Sequence, residues 1–103
     1  HSTSPALSEK VEIIGASVSS SGVQATVLVP QGSSSVTIAA LEVESTNGTL
    51  LCTASTSTTT VSPGTTTTIT GSCSSGLPPV GTPVEVVVVT TSGVTASYQT
   101  TVS

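Results

Sequence analysis

A chain of 103 residues with a formal net charge of −4, one Lys and no Arg lacks the clustered cations that nucleic acid or an anionic membrane surface demands. It is long enough for one hydrophobic core. Tyr98 is its only aromatic residue, and each aromatic side chain buries about 150–250 Å², so that core has to be assembled from thin aliphatic side chains.

Serine and threonine supply 20 and 21 residues. Regular alternation and a high β-branched content separate the chain from a disordered mucin-like stalk, so the hydroxyls are read as the surface of an ordered fold. Such a surface is hydrated by groups that do not titrate, and it is expected to tolerate acid. Met is absent and Asn occurs once. Depletion of oxidation- and deamidation-prone residues is a trait of proteins from hot environments. No apolar run approaches the roughly 20 residues of a membrane-spanning helix, so no membrane span is expected. A start at His1 with no Met reads as a mature product after signal removal or as a trimmed chain.

In chain order, residues 1–5 form a polar arm ending in Pro5. From Ala6 to Val18 the pattern is strand-like, with Leu7, Val11 and Ile13 on one face and Lys10, Glu12 and Ile14 on the other. After a turn over Ser19–Gly22, Val23–Val29 alternates as a half-buried strand, stopped by Pro30-Gln31-Gly32. Val36–Val43 is the next strand, with a change of face near Ala39-Ala40 that suggests a bulge. Asn47-Gly48 fits the two positive-φ positions of a type I′ hairpin turn, and Thr49–Ala54 returns as its partner. Ser55–Thr60 is an edge strand or a loop. Ser62-Pro63-Gly64 turns the chain into a strand over Thr65–Gly71, and the Pro- and Gly-rich stretch Ser74–Pro83 is a loop. Val84–Val102 closes the chain as a hairpin about Ser92-Gly93. Its first arm is apolar on both faces, Val84, Val86 and Val88 on one and Val87 and Val89 on the other, so the second face needs a cover from this chain or from another molecule. Seven to eight short strands with a turn signal about every ten residues indicate an all-β, immunoglobulin-like antiparallel sandwich.

Cys52 and Cys73 are the only cysteines, and in a hydroxyl-rich chain of this kind they read as a disulfide. Two buried thiols are the alternative. A metal site would need about four ligands, and beyond the two Cys only His1 and scattered Glu are present, so neither a metal nor a cofactor is expected. The residue inventory argues against an enzyme. A Ser nucleophile has only the N-terminal His1 as base and no Asp to orient it. A paired-carboxylate mechanism would need two of Glu9, Glu12, Glu42, Glu44 and Glu85 to converge; Glu42 and Glu44, two apart on one strand face, could pair but read as an exposed polar stripe. Asn47-Gly48-Thr49 is an N-glycosylation sequon, although the turn alone would explain Asn47. A further possibility joins Lys10 to Asn47 through an isopeptide bond.

Ser62-Pro63-Gly64 followed by TTTTIT, then Pro79-Val80-Gly81-Thr82-Pro83 and VEVVVVTTSGVTASYQTTV, resemble the sandwich domains of archaeal surface-filament proteins, from about Val23 onward. The likeness rests on Pro-Gly turns and Thr/Val strands, and the apolar N-terminal helix of type IV pilins is missing. The chain is more similar to the subunit of the archaeal thread, a thin glycosylated filament joined by donor-strand complementation. The resemblance implies an extracellular or cell-surface structural subunit whose partners are copies of itself and an N-linked glycan. Residues 1–14 are then an arm and candidate donor strand, and 15–103 the sandwich. Leu7, Val11 and Ile13 of one copy would enter a groove lined partly by the Val84–Val89 strand of the next, with Val87 and Val89 at the interface. Two readings stand beside this one. Residues 5–14 could be the first strand of their own sandwich. The domain could also be an ectodomain that binds an envelope or surface-layer partner through an apolar sheet face.

Overall fold

The computed structural model describes residues 10–55, 58–73 and 76–103, excluding the side chain of Ser55. They form eight strands in two antiparallel sheets, the all-β sandwich that the alternation pattern implies. The first sheet is ordered β1 (Glu12–Ser19), β2 (Gly22–Val29), β6 (Thr65–Gly71). The second is ordered β4 (Leu50–Ser55), β3 (Val36–Ser45), β7 (Pro83–Thr90), β8 (Thr95–Thr101), with the short β5 (Thr59–Val61) pairing with the first part of β3.

The core is aliphatic throughout. Val18, Val23, Val27 and Val29 of the first sheet meet Ile38, Leu41, Val43, Val84, Val86 and Val88 of the second, all fully buried. On β2 and β7 these residues occupy alternate positions, as a period of two requires, whereas on β3 the alternation changes phase between Ile38 and Leu41. Of the tract 55–60, Ser55 ends β4 and Thr59 and Thr60 begin β5, while residues 56 and 57 lie outside the described residues. The expected face change in β3 is a register shift between Ile38 and Ala40.

Both hairpin loops in the second sheet use one device. At Ser45–Thr49 the Ser45 N–H donates to Thr49 O and the Gly48 N–H to Ser45 O, and the Thr49 N–H also donates to Ser45 Oγ at 3.1 Å. Thr90–Val94 repeats all three, with Val94 N–H to Thr90 Oγ1 at 3.0 Å. Gly48 and Gly93 have φ of 90° and 94°, and among the described residues no other residue type has positive φ. Asn47 therefore does not take the left-handed conformation that a type I′ turn requires. The loop is a three-residue connection closed by a glycine bulge, because the hydroxyl of Ser45 secures the turn from its first position.

The first strand is shorter than expected and docks within its own chain. Glu12 to Ser19 pairs with Leu28 to Gly22 of β2, with a bulge between Ile13 and Gly15. Ile13 is 9% exposed and belongs to the core, whereas Ile14 is 50% exposed. The boundary drawn between residues 14 and 15 thus falls inside a strand. Leu7 and the rest of the arm lie outside the described residues.

Candidate functional site

Of the residues expected to meet in a groove between two copies, Leu7 lies outside the described residues and the others take places within one chain. Ile13 faces its own core, and Val11 packs against that core as a partly buried residue. Val84, Val86 and Val88 point into the same core. Strand β7 is central in its sheet, with β3 along one edge and β8 along the other. Both rows of its backbone groups are already paired, so no neighbouring strand can add to it.

Val87 and Val89 lie on the outer face of the second sheet, as their alternation implies. They do not form an open apolar patch. Val87 is only 8% exposed, flanked across the strands by Glu42 and Ser97. Glu44 sits directly opposite Glu85 on the same face. Carboxylates at Glu42, Glu44 and Glu85 therefore interrupt the valines. Among the described residues, no group of His, Cys, Asp or Glu is arranged to hold a metal ion. An open depression of about 250 Å³ lies over the β1 bulge and is lined by Gly15, Ala16, Ser17, Gln24 and Thr26. None of these side chains titrates.

Cys52 and Cys73 are joined as a disulfide with a Cα–Cα distance of 6.0 Å. It connects β4 of the second sheet to the segment just after β6 of the first, and a Ser72 N–H to Ala54 O bond of 3.1 Å accompanies it. The opposite corner is closed by hydrogen bonds. Val18 of β1 forms a parallel bridge with Val102, and the Ser103 N–H donates to Val18 O at 2.8 Å. Thr100 Oγ1 donates to Ala16 O at 3.4 Å.

The described chain enters and leaves at opposite poles. The Lys10 N–H donates to Ser33 Oγ at 2.9 Å, beside the Pro30–Ser33 turn that precedes β3. Ser103 lies at the other pole, by the end of β1. Asn47 is at that second pole too, at the tip of the hairpin that follows β3, and is exposed. Its Oδ1 accepts from Ser45 Oγ and, at 3.3 Å, from the Thr49 N–H. The ten residues of β3 span about 33 Å, which places Lys10 and Asn47 at opposite ends of the domain and rules out an isopeptide bond between them within one chain.

Two edge strands stand out. Strand β6 pairs with β2 over Val23–Gly71 to Val29–Thr65, and β8 pairs with β7 over Pro83–Thr101 to Val89–Thr95, each without a register shift. Neither contains a charged residue, a proline or a bulge, the devices by which natural edges are protected from pairing with other strands. Edge β1 does carry a bulge and Glu12, and β4 has two register irregularities and the disulfide. The sequence marked the alternation of β6 and β8 but could not mark them as edges, since that depends on sheet order. No protein-family profile matches the chain, and no curated protein matches it.

Proposed function

We propose that this domain is the structural subunit of an extracellular filament in which copies associate head to tail by strand addition. The observation that carries the reading is the presence of two long, regular, uncharged edge strands in a sandwich whose chain enters at one pole and leaves at the other. The donor is the segment before Glu12, with Leu7 as its apolar anchor, because β1 itself is engaged at home. The acceptor is a sheet edge rather than β7. A disulfide between the sheets fits an oxidising, extracellular setting, and an exposed sequon at a pole fits an N-linked glycan on Asn47. The residue inventory gives no reason to assign catalysis. Binding of an envelope partner through the valine face is the weaker reading, because carboxylates divide that face.

Negative-stain microscopy of the concentrated protein tests the proposal. Fibres are expected from the parent chain, and Leu7→Asp should abolish them while leaving the melting temperature within about 2 °C, since Leu7 precedes every described strand. Fibres that persist in Leu7→Asp, or a parent chain that forms none at any concentration, would sink it.

A further inference from the structure

The outer edge of β8 has a polarity that can be assigned residue by residue. The Thr90 N–H donates to Val94 O at one end of the β7–β8 ladder, and the Val102 N–H donates to Thr82 O just beyond the other. Antiparallel pairs alternate between hydrogen-bonded and non-hydrogen-bonded, so the bonded pairs between these ends are Val88–Ala96, Val86–Tyr98 and Val84–Thr100. Ala96, Tyr98 and Thr100 turn their backbone groups toward β7. Thr95, Ser97 and Gln99 turn theirs outward. Beyond Gln99, Thr100 and Val102 lean on β1. Among the described residues, no strand is hydrogen-bonded along the outer side of Thr95–Gln99, although β1 packs close by.

We infer that this five-residue edge pairs with the same edge of a second copy, antiparallel and across a two-fold axis through Ser97. That register sets Ser97 opposite Ser97 and Thr95 opposite Gln99, satisfying outward donors and acceptors with about six backbone hydrogen bonds. It is also the register in which the side chains fit. Tyr98 lies on the core-facing side of β8 yet is 36% exposed, because the sheet ends there. Across the axis it meets the small Ala96 of the other copy, a large residue against a small one, and the phenol ring gains cover at the sheet margin. No charge opposes the contact. The two second sheets become one continuous sheet, with the β6 edge left free on each copy. The inference does not depend on the head-to-tail reading, since it involves no residue before Thr95.

Sedimentation equilibrium and cysteine crosslinking test it together. The parent chain is expected to dimerise, and Ser97→Cys under mild oxidation to give a covalent dimer, because bonded antiparallel pairs have Cα atoms about 5.5 Å apart, within disulfide reach. Thr95→Cys and Gln99→Cys should crosslink only when combined in one chain. Ser97→Pro removes an outward N–H without touching the β7 ladder and should weaken the dimer by about 100-fold or more. Ser97→Lys keeps the backbone intact and should weaken it in a way that added salt relieves, which covers the case in which the proline variant does not fold. A parent chain that stays monomeric, a dimer unaffected by either Ser97 substitution, or crosslinks in a different register would overturn the pairing. Leu7→Asp should leave the crosslink intact, so failure of the filament reading shows separately.

Discussion

Ser45 and Thr90 occupy the same position in two unrelated hairpins, and each uses its hydroxyl to accept a loop N–H. Removing one such bond costs about 1 kcal/mol. Ser45→Ala should therefore lower the unfolding free energy by about that amount in urea titrations, with no change in the denaturant slope. Glycines divide by what surrounds them. A Cβ on Gly76 would sit 2.6 Å from the Leu51 carbonyl oxygen, at φ +91°, whereas one on Gly64 would meet the movable end of the Gln31 side chain. Gly76→Ala is expected to cost about 2–3 kcal/mol and Gly64→Ala about 1 kcal/mol, again read from urea unfolding. Equal costs would show that the Leu51 carbonyl yields freely. The sequence already showed a hairpin at Asn47-Gly48, but not its loop class. That class depends on Ser45, a hydroxyl two positions earlier whose bond forms only once the strands have met.

Strand identity was legible because alternation records which face is buried, and β2 is the clearest case. Its Val23, Ala25, Val27 and Val29 are all inward and fully buried. The chain is less explicit where apolar residues are adjacent. Ile13-Ile14 could not reveal a bulge, and a bulge moves every later side chain of β1 to the face it needs. The valine run of β7 raised the question of what covers its second face. What it could not show is that a central strand obtains much of that cover from its own neighbours. Glu42 and Ser97 flank Val87, so no guest strand is required there. One local conflict remains in this sheet. Glu44 and Glu85 are directly opposed, and like charges in that position are unfavourable by about 0.2–1 kcal/mol. Glu85→Gln is predicted to stabilise the domain by a few tenths of a kcal/mol at neutral pH and low salt, with the gain shrinking as salt is added. Chemical denaturation at two salt concentrations checks both parts.

For the whole molecule, hairpin signals gave neighbours in sequence, but the order β1-β2-β6 and the placement of β5 against β3 are long-range choices that no local pattern encodes. The two cysteines were the exception, since their pairing foretold a contact between the ends of β4 and β6. With the cysteines 21 positions apart in sequence, the chain-entropy argument assigns the bond about 3 kcal/mol. A Cys52→Ser/Cys73→Ser double variant should lose that much, measured by urea unfolding of oxidised parent and variant side by side. The opposite corner has no covalent bond; the parallel bridge between Val18 and Val102 and the hydrogen bonds from Ser103 and Thr100 to β1 hold it. Because β1 starts at one pole and β8 ends at the other, tension applied to the two ends slides these neighbouring strands past each other along their length. Bonds aligned across such a slide resist together rather than opening one after another. A domain loaded in this way would hold under a pull that readily peels a hairpin apart.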